Sequence, residues 1–400
     1  MDATSDWVAV VANETLPLRP GVDVGDWNLV QGAVLVVVII VGVFVNLFIL
    51  IAILTSRRLR RRVNDVLCCH LALVGIVWCS VLLPLNVTAA LADGWPLHDG
   101  RSERGLCDMH GYAQATLMHV MVWTIAILGW NKYRTITTPL QRVSTINRQR
   151  MAAIVLPAWA IGITLACGPL VSGSGVGHYG YGPAVVACVY EPSLTTDATL
   201  TVASIVYSVA TAVVGFLLPV GVTMHSYFRI YTIARWHRKR IAVMSAVVQV
   251  ITLSVGVPMT RQGLPPEMSQ QSQSQSGGNK TPPVEDQVVA DPAVTQTRER
   301  KTLRNVLAFV VALVLCYAPH YTLLALAPIA RRPTYPPYYS VSSLQFPVPV
   351  ELLSGIVVLA SPAVNGFIYG VRNRAMTRSF RRFIRPPTLG ERLSRMVSMV

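Results

Sequence analysis

The chain has 400 residues, of which 52% are hydrophobic and 13% charged, with a formal net charge of +15. A water-soluble protein of this length carries about a quarter charged residues, so composition excludes an ordinary soluble enzyme or binding domain.

The first 26 residues are polar and acidic, carry the glycosylation sequon Asn13-Glu14-Thr15, and lack the pattern of a cleavable signal peptide, so the first span is expected to act as its own anchor. Beyond them, the stretches 27–56, 66–92, 109–131, 151–190, 198–228, 305–330 and 352–371 contain no Asp, Glu, Lys or Arg. A helix needs about twenty apolar residues to cross the ~30 Å hydrocarbon core, and each stretch reaches that length. They predict an all-α membrane protein: a seven-transmembrane helix bundle over 27–371, with 1–26 as an extracellular N-terminus.

An eighth uncharged stretch, Ile241–Thr260, is shortened by Pro258 and diluted by Ser245, Gln249, Thr252 and Ser254. Topology rejects it as a span. With seven spans and the N-terminus outside, all 34 Lys and Arg fall on the cytoplasmic side except Arg19, Arg101, Arg104, Arg331 and Arg332, the asymmetry expected of cytoplasmic loops. An eighth span would turn the Arg-rich tail outward, so 241–257 is placed against the inner leaflet or on the bundle. The positive charge is then cytoplasmic surface facing anionic membrane lipid and partner proteins, and no nucleic acid is implied.

Most connections are short. The exception is the cytoplasmic loop at about 235–297, whose second half, SQQSQSQSGGNKTPPVEDQ, is polar and of low complexity and is expected to be disordered. A second sequon, Asn86-Val87-Thr88, falls in or beside a span and is expected to carry no glycan. After the seventh span, in the tail 372–400, Met376, Phe380, Phe383 and Ile384 fall on one helical face with Arg residues mostly elsewhere, the pattern of an amphipathic interfacial helix.

Motifs along the spans make the reading specific. Asn46 stands in the first span. LALVG (71–75) precedes Pro84 by nine residues in the second. Cys107 precedes Lys132 by twenty-five residues and Pro139 follows seven later. Trp95, Trp159, Pro169, Pro219, Tyr227, CYAP (316–319) and NGFIY (365–369) follow in order. In this order and register the chain resembles the rhodopsin-like (class A) G-protein-coupled receptors over nearly its whole length. CYAP is similar to the family's Cys-Trp-x-Pro, NGFIY to its Asn-Pro-x-x-Tyr, and Asn131-Lys132-Tyr133 stands in place of Asp-Arg-Tyr.

The departures from the family pattern carry the functional expectations. Gly75 and Met121 replace the polar residues that would hold a structural sodium ion, so no sodium or other metal site is expected. Tyr317 replaces a Trp, and Gly366 replaces a Pro. Neutral Asn131 and the point charge of Lys132 cannot reproduce the bidentate Asp-Arg pair. Two readings stand for Glu299: it pairs with Lys132 across the cytoplasmic face, or it is solvated among Arg298, Arg300 and Lys301.

The resemblance further implies a Cys107–Cys188 disulfide on the outer side, a ligand pocket containing Gln114, Met118, Tyr317, His320, Tyr321 and Glu351, and a cytoplasmic crevice lined by Lys132, Tyr227 and Tyr369. Asn131, Tyr133, Glu299 and Asn365 complete the expected activation set. His320 and Glu351 meet a polar ligand or play a structural part; both readings stay open. Gln114 occupies the place of the Asp of amine receptors, which speaks against a monoamine ligand. The seventh span has no Lys to bind retinal, although HYGYGPAVVAC (178–188) has an opsin-like composition.

No enzyme motif and no cofactor motif is found. Implied partners are a heterotrimeric G protein, arrestin, membrane lipid and an extracellular ligand that the sequence does not identify. The terminal Ser398-Met399-Val400 also suits a PDZ domain, which captures such a peptide as an added strand. The expected function is that of an orphan-like receptor at the plasma membrane, multi-pass, with basal signalling. A non-coupling seven-helix scaffold or atypical receptor is the alternative. A transporter would need paired mid-membrane charges or inverted repeats, and neither is found.

Overall fold

The computed structural model describes residues 24–92, 94–96, 100–138, 148–171, 175–193, 198–254, 310–328, 348–371 and 373–385. The Asn13 sequon, Glu299, the low-complexity half of the long loop and Ser398-Met399-Val400 lie outside them. The order of elements is α1 (Val24–Thr55), a single turn (Arg57–Arg60), α2 (Val63–Leu91), α3 (Gly100–Thr137), α4 (Arg148–Cys167), a hairpin of β1 (Gly177–Gly182) and β2 (Ala187–Pro192), α5, α6 (Val310–Pro328), α7 and α8 (Arg374–Ile384). Helix α5 is built from Ala198–Ala212, a π-helical turn at Val213–Leu217 and Leu218–Ser254; α7 runs Val348–Gly366 and closes in a π turn at Phe367–Val371. Seven of these helices are long and apolar enough to cross a membrane.

The chain divides into two units, and Tyr227–Leu307 forms the second. Its described part is the remainder of α5, which continues as helix through Ser254. Residues 235–254, where the cytoplasmic loop was expected to open, continue α5 as helix, and the uncharged stretch 241–257 begins within it. The physical reason is local: residues 235–254 contain neither Gly nor Pro, and the first breakers are Gly256 and Pro258.

Within the first unit, α3 is the central helix. Its most apolar window is 72% buried, against 28% for α1 and 17% for α4, whose remaining apolar side chains face outward. Two π turns immediately precede prolines that cannot donate a backbone N–H. In α2 the turn Trp78–Leu82 precedes Pro84, and in α5 Val213–Leu217 precedes Pro219. The carbonyl of Val214, in that widened turn, accepts from the indole of Trp123 on α3 at 3.1 Å.

Polar contacts between helices set the register of the bundle. The Asn46 amide of α1 donates to its own helix at Gly42 O (2.8 Å) and across to Pro362 O of α7 (3.3 Å). Trp78 of α2 donates to Leu359 O of α7 at 3.3 Å. Trp159 of α4 donates to His70 Nε2 of α2 at 3.0 Å, and the other ring nitrogen of His70 lies 3.4 Å from Thr124 Oγ1 on α3. Because Nε2 accepts, Nδ1 carries the proton, which orients His70 toward the threonine.

Asn46 explains two of the glycines. A Cβ on Gly75 would lie 2.8 Å from Asn46 Nδ2, and one on Gly366 would lie 3.0 Å from Asn46 Oδ1. The two residues that depart from the family pattern in α2 and α7 therefore flank one side chain. Gly75→Ala is expected to destabilise the protein by about 1–3 kcal/mol through overpacking. Adding Asn46→Ala should make the double variant less costly than the sum of the single ones, because the clash and its partner vanish together; thermal unfolding of the four purified proteins measures this coupling.

Candidate functional site

The outer end is closed by the hairpin, whose strands pair antiparallel with Tyr181 opposite Cys188. Cys188 is disulfide-bonded to Cys107, near the outer end of α3, as the resemblance implies. Trp95 and Ala89 pack on the bridge, and the Trp95 ring lies 4.9 Å from His110 and 6.0 Å from Tyr181. His110 Nε2 lies 2.8 Å from Asn86 Oδ1, and Asn86 is fully buried, so its sequon has no room for a glycan. Tyr179 passes over Gly111, where any Cβ would collide with its ring, and donates to Ala166 O at 2.8 Å. Burial pushes the Tyr179 phenol far above its ordinary range, so it stays protonated.

Below the hairpin lies a cluster of aromatic and imidazole rings. Tyr321 stacks on Phe216 at 5.0 Å and meets His119 edge-on at 5.8 Å and His320 at 5.5 Å. Met118 and Tyr317 belong to the same buried core. Two polar atoms here, His119 Nε2 and the Tyr321 hydroxyl, are buried without a partner among the described residues, as is Gln114 Oε1 on α3. Glu351 sits half-buried in the first turn of α7. Of the expected pocket residues, Tyr321 and His320 belong to this ring cluster, and Met118 and Tyr317 are buried in the bundle core.

His119 is the residue that sequence reasoning missed. Its Nδ1 is bonded to Ala115 O at 2.6 Å, and α5 approaches it closely because Gly215 has no side chain; a Cβ there would lie 2.7 Å from Nε2. His119 is one of two histidines, with His110, inside the uncharged stretch 109–131, and that is the sequence signal it offers.

Tyr317 links the middle of the bundle to its inner end. Its ring is fully buried, and its hydroxyl accepts from the Asn365 amide of α7 at 3.2 Å. Further inward, Lys132 Nζ stands 5.7 Å above the Tyr369 ring, within cation–π range. Asn131 is buried and donates to Asn64 Oδ1 of α2 at 2.7 Å. Tyr133 meets His225 edge-on at 6.3 Å and Trp130 at 5.4 Å. Tyr227 is buried on α5.

Residues 45–369 match the family model for the 7 transmembrane receptor (rhodopsin family). The chain belongs to this family. As such it is a multi-pass protein of the plasma membrane. It is similar to the tyramine receptor tyra-2 of Caenorhabditis elegans, with 24% identity over 54% of this chain and 43% of the relative. It is also similar to 5-hydroxytryptamine receptor 5B of Rattus norvegicus, at 25% identity over 48% and 49%, and to Melanopsin-A of Danio rerio, at 25% over 57% and 36%. The chain thus spans less than half the length of these curated relatives. Among solved structures, squid rhodopsin superposes with a TM-score of 0.64 at 14% identity, covering 90% of this chain and 86% of that one; the likeness concerns the fold.

Within this rhodopsin-family receptor, the interior beside Asn46 offers little to a small cation. Asn46 fills the space over Gly75, and the fully buried Met121 presents a thioether where an oxygen would be needed. The melting temperature of the purified receptor is therefore expected to be the same in sodium chloride and in potassium chloride at equal ionic strength. A sodium-specific rise would show a cation site.

Proposed function

We propose that the receptor couples an outer signal to a heterotrimeric G protein and signals measurably without ligand. The observation that carries this reading is the neutral lock at the inner end of α3. Asn131, neutral where the family has an anion, donates to Asn64 Oδ1, and Lys132 rests over Tyr369. A neutral hydrogen bond contributes roughly 0.5–1.5 kcal/mol net, about half of what a charge-assisted one does. The resting state is then held less firmly than by the Asp-Arg pair usual in the family, and a larger fraction of molecules occupies the signalling state before any ligand arrives. Lys132 and Tyr369 are assigned to the crevice that receives the G protein, with Tyr133 and Asn365 supporting its opening; arrestin shares that face.

The outer signal is assigned to the ring cluster, with Gln114, Met118, His119, Tyr317, His320, Tyr321 and Glu351 as its contacts. The similar tyramine and 5-hydroxytryptamine receptors are named for amines. Gln114 nonetheless supplies no negative charge for an ammonium group, so a neutral or anionic ligand able to donate to the Gln114 carbonyl is the better fit. The relatives' ligands are for this reason not transferred.

The test is an agonist-independent second-messenger assay across a panel of G proteins, normalised to surface expression. Wild type should signal above mock. Asn131→Asp should lower that level severalfold by restoring an anion beside Lys132, and Glu299→Gln should raise it. Equal silence of all three at the cell surface would favour the non-coupling scaffold.

A further inference from the structure

At the cytoplasmic boundary, the turn between α1 and α2 and the exposed side of α8 enclose a cleft of about 650 Å³. Arg57, Arg58 and Arg62 enter it from the turn, and Arg378 and Arg382 from α8. None of its lining residues is acidic, and none of the five arginines makes an ion pair among the described residues. Arg62 attracts the buried Asp65 electrostatically, outside ion-pair distance. Five like charges converging on one cleft repel each other, and both walls are nevertheless fixed. On the α8 wall, Met376 is fully buried, Phe380 packs 4.6 Å from Phe48, Ser379 donates to Ala52 O at 2.8 Å and Asn373 caps the N-terminus. On the other wall, Ser56 caps the turn and Leu59 is buried beneath it.

We infer that this cleft binds the polyphosphorylated headgroup of an inner-leaflet phosphoinositide. Several guanidinium forks directed at one volume match the clustered oxygens of two or more phosphates, and each fork can bind them bidentately. A single-phosphate lipid would leave most of the forks unpaired. The cleft also has an apolar side. Leu59 and Phe383 line it, and Phe383 is exposed, as are its neighbour Ile384 and, just before the turn, Leu54, as side chains in contact with acyl chains would be. A bound lipid would therefore tie α8 to the turn after α1 and present its chains to the bilayer. A soluble inositol polyphosphate has the same headgroup chemistry and lacks only the chains.

The experiment uses the full-length receptor in detergent at physiological salt, with fluorescent short-chain phosphatidylinositol bisphosphate as probe. Chainless inositol trisphosphate and short-chain phosphatidylserine serve as competitors. The phosphoinositide should bind saturably, and each competitor should be weaker by roughly tenfold or more. The variant carrying Arg58→Ala, Arg378→Ala and Arg382→Ala should lose roughly tenfold or more in affinity, whereas replacing Arg134, Arg235 and Arg240 by Ala should change it less than about threefold. Should the triple variant fail to fold, Arg378→Ala and Arg382→Ala, both on the exposed side of α8, carry the comparison singly. Equal losses in the two triple variants, or no saturable binding, would overturn the site; equal affinity for chainless inositol trisphosphate would overturn its assignment to lipid.

Discussion

Hydrocarbon offers no water to a polar group, so an amide, indole or hydroxyl inside the bundle is favoured where it meets a partner on protein. That constraint sets where the helices meet. The Asn46 amide ties α1 to α7, the Trp78 indole ties α2 to α7, Trp159 and His70 join α4 to α2 and onward to α3, and Asn365 ties α7 to α6. Each such bond is worth only about 0.6 to 2 kcal/mol in a membrane. Their value lies in direction: an apolar helix slides against another apolar helix with little penalty, and a hydrogen bond to a named carbonyl forbids the slide. Leu, Val and Ala then fill the volume that these few contacts define.

The family departures become intelligible as linked sets. Gly75 and Gly366 lie on different helices, yet both face the Asn46 side chain. Enlarging either would displace it. Tyr317 carries a hydroxyl that a Trp in its place would lack, and Asn365 donates to it. Asn131 has a neutral partner in Asn64. At Asn131 a dipole stands where the family pattern has an anion, and a dipole–dipole contact falls off over a shorter distance than the field of an ion pair.

Much of the fold was legible in the sequence because the membrane imposes a long, one-dimensional signal. Seven uncharged stretches and the sidedness of Arg and Lys suffice to count and orient the spans, and the family spacing from Cys107 to Lys132 locates the disulfide. The limits of that signal appear in particular residues. Nothing in periodicity links Asn46 to Pro362, more than three hundred positions away, or Asn131 to Asn64, because both contacts exist only after the helices pack. His119 lies one position beyond the expected Met118, and only the close approach of α5 at Gly215 brings it to Tyr321. The helical continuation to Ser254 was obscured by Ser245, Gln249, Thr252 and Ser254, which dilute its apolar run. The π turns have no composition of their own, although two of them sit just before prolines.

Those turns have a mechanical meaning. A π turn holds one residue more than an α turn, so it is an insertion that the helix has absorbed without breaking. If the turn at Phe367–Val371 tightened to α geometry, everything beyond it would twist by about 100° relative to everything before it. Tyr369 lies inside that turn, while Asn365 lies just ahead of it. The cytoplasmic tip of α7 can thus be re-aimed like the bit of a screwdriver, with the shaft, and the hydrogen bond to Tyr317 that grips it, standing still.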